Sequence, residues 1–223
     1  MKIIYDFDGT LTPYPIPKYK ILEKCGIQEK DYYSLIKEIK NQALLDDNNM
    51  FEMFYTSFLE ILKTHKVKIN NQNLSYGADN LEYNKGLLEF LEYTANNQIE
   101  NYIVSSGIKV YLEKTKIAKY FKEIYGTTFK DENIDYLMTD DDKVGIIKSI
   151  CNDNCTDTIY IGDGLTDCKA FQYVYNHGGK TIYINHKHDF NMSHGSYISY
   201  VANPDYSLNN SLARYIILQN NNK

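Results

Sequence analysis

Lys2-Ile3-Ile4-Tyr5-Asp6-Phe7-Asp8-Gly9-Thr10-Leu11-Thr12 is the stretch on which the reading of the chain turns. Ile3, Ile4 and Tyr5 are a short apolar run that predicts a buried strand, and Asp-Gly-Thr then forces the chain to turn away. Residues i and i+2 of a strand point the same way. Asp6 and Asp8 therefore sit near one strand end and reach one reacting group. A second such ending lies late in the chain. There Ile159-Tyr160-Ile161 runs into Gly162-Asp163-Gly164, with Asp167 three residues on.

Working outward, apolar runs with turn residues at their carboxyl ends recur at Ile3 to Asp6, Tyr102 to Ser106, Ile124 to Thr127, Thr158 to Gly162 and Thr181 to Asn185. Helix-period patterns lie between them, as in Leu87, Leu88, Leu91 and in Ile146, Ile147, Ile150. Strands alternating with helices predict an α/β fold, a mostly parallel sheet with helices on both faces. Ile198 to Ala202 adds an edge strand, and a helix from Leu208 to Gln219 closes the domain.

Between Asp6 and Tyr102 the chain spends far more residues than a crossover needs. Helical apolar spacing there runs through Leu35, Ile36, Ile39, Phe51, Phe54, Phe58, Ile61 and Leu62. Pro13, Pro15 and Pro17 open the stretch, and the Gly77 to Gly86 region closes it, both as hinges. This predicts a catalytic core of residues 1–13 and 84–223 with a helical cap of residues 14–83 above the first strand. The plainer alternative is a set of extra helices packed permanently on the core.

The 223 residues suffice for one α/β domain carrying a substantial insertion, and 43% hydrophobic residues supply a core. A net charge of -5 with no basic stripe argues against nucleic acid as a partner. No apolar run approaches the length of a membrane span. Met1-Lys2 leads straight into the strand with no signal-peptide order, so a cytoplasmic location is expected. Cys25, Cys151, Cys155 and Cys168 read as free thiols of a reducing compartment. Cys151 and Cys155 lack zinc-knuckle spacing. The 22 tyrosines reflect compositional bias more than an aromatic binding surface.

In parallel α/β sheets ligands bind outside the carboxyl ends of the strands, at the topological switch point. If the Asp6 and Asp163 strands are neighbours there, four carboxylates crowd together. Each pair of charges about 4 Å apart repels by about 4 kcal/mol at an effective dielectric near 20. A cation or protonation must relieve that repulsion. All-oxygen ligands without nearby His or Cys suit Mg²⁺. Singly, such aspartates also serve as caps of turns and helices.

Ile103-Val104-Ser105-Ser106-Gly107 runs a strand into a Ser-Ser-Gly turn before a helix at Lys109. A hydroxyl and helix-start amides there can hold a phosphoryl oxygen. Ser105 is the first choice for that duty and Ser106 the runner-up, with Thr10 and Gly107 as further substrate-binding residues. Lys143 opens a predicted helix just after Asp140-Asp141-Asp142, where its ammonium can neutralise a nucleophile and a transferring phosphoryl group. Lys148 and Lys130 are weaker candidates.

Taken in order, DFDGT, VSSG, Lys143 and GDGLTD resemble the four signature motifs of the haloacid dehalogenase superfamily, and with an insert after the first strand the chain looks most like its phosphoserine-phosphatase-like branch. The resemblance runs from Lys2 to about Tyr175. It implies a Rossmann-like core, a helical cap, and Mg²⁺-dependent hydrolysis of a small phosphorylated metabolite through an aspartyl-phosphate. Carried over, Asp6 is nucleophile and metal ligand. Asp8 is the acid/base and lends its backbone carbonyl to the metal. Ser105 holds the phosphoryl group and Lys143 neutralises charge. Asp163 is a direct metal ligand, and Asp167 supports the metal shell through water.

Two other classes use the same residues: a phosphomutase, and a catalytically silent phosphate-ligand-binding module. Dehalogenation is disfavoured, because that branch lacks the carboxylate that Asp8 supplies. The run Asn185-His186-Lys187-His188, with His194 beyond, invites a second-metal reading against the plainer one of a polar loop. The insert should exclude water as a lid, with Lys18, Tyr19, Lys20 and Tyr55 as substrate contacts by location.

Overall fold

The computed structural model describes residues 1–13, 20–28, 34, 37–38, 41, 50–186 and 195–221. Pro15, Pro17, Lys18, Tyr19, Leu35, Ile36, Ile39, Lys187, His188 and His194 lie outside the described residues. Ile3, Ile4 and Tyr5 belong to β1 (Lys2–Tyr5), at the middle of a seven-stranded sheet. The other strands are β2 (Glu100–Ile108), β3 (Glu123–Lys130), β4 (Asn133–Tyr136), β5 (Thr158–Gly162), β6 (Lys180–Ile184) and β7 (Tyr200–Ala202). Their order is β4-β3-β2-β1-β5-β6-β7. Every pair is parallel except β3 with β4.

Period-two alternation sorts the strand residues onto two faces. Ile3, Tyr5, Ile103, Ile159 and Ile161 pack against α4 (Leu87–Asn96) and α8 (Ser211–Asn221), the fourth and last of the helices α1 to α8 in chain order. Ile4, Tyr102, Val104 and Tyr160 face α6 (Asp140–Cys151) and α7 (Cys168–Asn176). The fold is thus the expected Rossmann-like α/β sheet with helices on both faces. From β1 the chain builds outward to β2 and β3 on one side and to β5, β6 and β7 on the other. The switch point therefore falls between β1 and β5, with Asp6 and Asp163 at their ends.

A capping box fixes where α6 begins. The Asp142 amide donates to Thr139 Oγ1 (3.3 Å) and the Thr139 amide to Asp142 Oδ2 (2.9 Å). Asp140, Asp141 and Asp142 occupy the first turn, where carboxylates offset the helix dipole. Lys143 follows in that same turn, and its side chain enters the core.

After β1 come the helices α1 (Ile21–Lys24), α2 (Met50–Thr64) and α3 (Asn71–Leu74). Ile21, Leu22, Tyr55, Phe58, Leu62 and Leu74 form one buried cluster with Ile108 and with Tyr111 of α5 (Lys109–Glu113). Phe129, Ile134 and Leu137 pack on its edge.

The structure departs from the sequence reading in two places. The β3–β4 hairpin was not foreseen, because Asn133–Tyr136 is short and largely exposed, and its two apolar residues, Ile134 and Tyr136, are too few to mark a strand. The Ser-Ser-Gly turn is instead a bulge within β2, which continues to Ile108. Val104 pairs with Tyr125 and Ile108 with Thr127, so Ser105 to Gly107 stand opposite Gly126 alone. A Cβ at Gly126 would lie 2.7 Å from the Gly107 carbonyl oxygen, so the bulge requires glycine there. Among the described residues no helix is long and apolar enough to cross a membrane.

Candidate active site

Asp6 follows β1 directly, and its amide donates to the Ile161 carbonyl (2.9 Å), which ties the ends of β1 and β5 together. Lys143 reaches this point from α6 and is 1% exposed. Its Nζ lies 3.1 Å from Asp6 Oδ1 and 2.9 Å from Asp167 Oδ1. Burial alone would lower the Lys143 pKa, but Asp167 and Asp6 hold it well above the ordinary lysine range. Burial pushes the Asp6 carboxyl up to about 6, against the pull of Lys143. The other lysines considered lie elsewhere. Lys148 is exposed and paired with Asp153, and Lys130 lies at the end of β3.

Asp167 is the anchor of this arrangement. Its Oδ1 accepts from Lys143 and from the Tyr160 hydroxyl (2.6 Å), and its Oδ2 from the amides of Asp163 (3.1 Å) and Gly164 (3.2 Å). Four donors occupy the four acceptor positions of the carboxylate. Its closeness to β5 requires glycine at 162, where a Cβ would meet Asp167 Oδ2 at 2.5 Å and Cβ at 3.0 Å. Gly162→Ala must displace that carboxylate. The expected cost is about 1–3 kcal/mol, or roughly 2–12 °C in Tm at 2–4 °C per kcal/mol. Thermal unfolding checks this, and an unchanged midpoint would refute it.

Asp6, Asp163 and Asp167 each place one carboxylate oxygen within 4.8 Å of the others. Asp8 adds a fourth carboxylate, whose Oδ1 is buried without a hydrogen-bond partner. Burial, then the charges of Asp6 and Asp163, push the Asp8 carboxyl well above the usual range, while Lys143 pulls the other way. The lone buried ammonium does not balance so many carboxylates, and the donor set is all oxygen. Those properties fit a hard divalent cation such as Mg²⁺.

The β2 bulge completes the set. Ser105 is buried, its side chain stands near enough to Asp6 to help hold that carboxyl's pKa down, and its Oγ accepts the Gly107 amide (3.2 Å). Ser106 Oγ and Thr10 Oγ1 are buried without hydrogen-bond partners. The Thr10 carbonyl accepts from Asn84 Nδ2 (2.8 Å) and from the Tyr206 hydroxyl (3.0 Å), which fixes the loop after Asp8.

The sequence reading missed several neighbours. Tyr160 reads as an ordinary core strand residue, and nothing in its spacing marks the bond to Asp167. Asp140 was passed over within an acidic run, yet its Oδ1 is buried and unpartnered, and burial pushes its carboxyl up to about 6. His186 reaches the site itself. Its Nε2 bonds the Gly9 carbonyl and lies 4.0 Å from Asp163 Oδ2. Of the insert candidates that are described, Lys20 pairs with Glu23 (2.6 Å), and Tyr55 donates to the Ser106 carbonyl (2.7 Å).

Similar folds are known among solved structures. A substrate-bound phosphoserine phosphatase complex aligns with a TM-score of 0.67 at 18% identity, over 97% of this chain and 96% of the other. A HAD family hydrolase from Salmonella enterica subsp. enterica serovar Typhi aligns with a TM-score of 0.66 at 18% identity, over 93% and 69%. The L-2-haloacid dehalogenase RSc1362 has a TM-score of 0.58 at 10% identity, over 97% and 98%. No curated protein sequence matches the chain. The haloacid dehalogenase-like hydrolase family matches residues 3–172, which takes in Asp6, Asp8, the β2 bulge, Lys143 and Asp163 to Asp167. With those residues converging at one switch point, the chain belongs to the haloacid dehalogenase-like hydrolases.

Proposed function

We propose that the protein is a Mg²⁺-dependent phosphatase of a small phosphomonoester, with Asp6 as nucleophile and Asp8 as general acid/base. The observation that carries this is the pair itself. Asp6 is held by a buried lysine, while two residues away burial and the neighbouring carboxylates push the Asp8 carboxyl up and leave its Oδ1 without a hydrogen-bond partner. An ionised carboxylate attacks phosphorus, and a neutral carboxyl donates to the leaving oxygen. A halide leaving group needs no proton, so dehalogenation would leave Asp8 without a task.

In the first half-reaction an Asp6 oxygen bonds phosphorus and the bond to the ester oxygen breaks. Asp8 protonates the departing alcohol. The aspartyl-phosphate is then hydrolysed by a water whose proton passes to Asp8, and inorganic phosphate leaves. Ser105, Ser106, Gly107 and Thr10 hold the phosphoryl oxygens, and Lys143 balances their charge. Asp6, Asp163 and the Asp8 carbonyl would hold Mg²⁺, which when bound offsets phosphoryl charge. Asp167, with its acceptors taken, supports that shell from behind. The insert of residues 14–83 serves as the lid over the leaving group. The phosphatase name of the substrate-bound structural neighbour and the four free cysteines support a small metabolite as substrate and a cytoplasmic setting.

The test is p-nitrophenyl phosphate hydrolysis with and without Mg²⁺, paired with thermal unfolding. Mg²⁺ at a hundredfold excess over its Kd should stabilise by roughly 3 kcal/mol, or about 6–12 °C at 2–4 °C per kcal/mol. The Asp6 carboxyl sits near 6 rather than 3.8, so protons compete with the cation below that pH. The Mg²⁺ increment is therefore full at pH 7.5 and fades as pH falls through about 6. Without the cation the sign reverses. A carboxyl whose pKa is raised by folding loses stability as pH rises between about 4 and 6. Absence of both Mg²⁺-dependent turnover and a thermal shift at pH 7.5 would reject the proposal.

A further inference from the structure

A hydroxyl of the insert reaches the bulge beside the catalytic residues. Tyr55 lies on α2, is 1% exposed, and its ring packs against Phe54, Phe58 and Phe129. Its Oη donates to the Ser106 carbonyl at 2.7 Å. The Thr127 hydroxyl donates to the same carbonyl at 2.9 Å, and Thr127 Oγ1 in turn accepts the Met138 amide at 3.2 Å. That carbonyl and the Gly107 N–H are the two ends of one planar peptide group. The Gly107 N–H donates to Ser105 Oγ at 3.2 Å, and the Ser105 side chain stands beside the Asp6 carboxylate, whose pKa it helps to hold down.

Every donor in this series points the same way. Tyr55 O–H meets Ser106 C=O and Gly107 N–H meets Ser105 Oγ, which stands beside the Asp6 carboxylate. Hydrogen bonds aligned head to tail polarise one another. A peptide plane gripped at its oxygen also cannot rotate its N–H away from Ser105. Rotation is otherwise easy here, because Ser105 to Gly107 form a bulge opposite a single residue of β3 and lack regular ladder bonds.

We infer that Tyr55 is a positioning residue, borne by the insert, that orients the Ser106–Gly107 peptide and through it the Ser105 hydroxyl on Asp6. Seating of the insert thereby sets the loop that receives the phosphoryl group. Lifting it removes one of the two hydroxyls on the Ser106 carbonyl and leaves only Thr127, which belongs to the core. The active geometry is then complete only when the leaving group is covered, and water meets a less ordered site when the insert is raised. The inference rests on the phosphatase reading for its catalytic consequence. The link from Tyr55 to Ser105 itself stands on hydrogen bonds.

The test uses Tyr55→Phe, which deletes the hydroxyl and keeps the ring, with Tyr55→Leu, Ser105→Ala and the Tyr55→Phe/Ser105→Ala double variant. Tyr55→Phe should lower kcat for p-nitrophenyl phosphate by about three- to tenfold, with KM changed less than about twofold. In the Ser105→Ala background the same change should have almost no effect, since groups acting in series are not additive. Hydrogen exchange should accelerate in the segment covering residues 104–108 of Tyr55→Phe and stay unchanged in residues 158–162. If Tyr55 only packs, Tyr55→Phe is silent and Tyr55→Leu alone loses activity, which overturns the inference. Equal losses in both backgrounds, or unchanged exchange at 104–108, overturn it too. Should the wild-type protein hydrolyse no phosphomonoester, the phosphatase reading fails, and the exchange measurement still decides whether the relay exists.

Discussion

Asp6→Asn should abolish phosphate release, lowering kcat by about 10⁵- to 10⁶-fold, the scale on which loss of a nucleophile is felt. The amide has the shape of the carboxylate and can keep one hydrogen bond from Lys143, so the site loses its attacking oxygen and little else. Folding should not suffer. Burial disfavours the ionised Asp6 in the native state, so the neutral amide leaves the metal-free protein no less stable at pH 7.5. Loss of turnover with an intact unfolding transition is the signature to look for in Mg²⁺-supported hydrolysis of p-nitrophenyl phosphate. Turnover within about tenfold of wild type would remove Asp6 from the chemistry and the phosphatase proposal with it.

Lys143→Met has the second largest expected effect, and it combines stability with rate. The side chain is 1% exposed and bridges Asp6 and Asp167. Its removal leaves two buried carboxylates facing each other. Breaking a buried pair in this way costs about 3–5 kcal/mol, or roughly 6–20 °C at 2–4 °C per kcal/mol. The sign with pH is definite. In the wild type the ammonium is held above its free value, so its contribution is complete below about 10.4 and is lost only at more alkaline pH. In the variant the uncompensated carboxylates take up protons more readily. The deficit should be largest near pH 8 and shrink toward pH 5. Activity should fall by about 10²- to 10³-fold, as when one fixed charge partner of a transition state is removed. Thermal melts at pH 5 and 8 with Mg²⁺ removed, together with kcat at pH 7.5, measure both. A deficit independent of pH would mean that the lysine matters for packing only.

Much of this site is legible in the sequence, because its chemistry sits where regular elements stop. Asp6 and Asp163 follow apolar β-branched runs, so strand ends and carboxylates were located together. Lys143 was found by its position alone, at the start of a predicted helix just after Asp140-Asp141-Asp142. What stayed hidden depends on partners distant in the chain. The Tyr160 phenol meets Asp167, seven residues on, only once the turn after β5 has folded back, and Asn84 and Tyr206 reach the Thr10 carbonyl from separate connections. The bulge at Ser105 to Gly107 read as a turn, because Ser-Ser-Gly favours either and only Gly126 on the next strand decides. The hairpin strand Asn133–Tyr136 is too short for the alternation of Ile134 and Tyr136 to mark it. Its role is to present Ile134 beside the aromatic rings of the insert, and no local pattern records that.

The shared apolar cluster beneath the insert has a consequence for how the protein is made. Tyr55, Phe58 and Leu62 leave the ribosome early, but Ile108, Tyr111 and Phe129, which finish covering them, come much later. Until synthesis passes Leu137, the amphipathic face of α2 lacks its cover. Pairings of such long sequence separation form late and slowly, so the nascent chain carries an adhesive surface through that interval. Excised by itself, the segment would remain unable to close its own interior, and a folding assistant that shields newly made α2 would raise the yield of native enzyme.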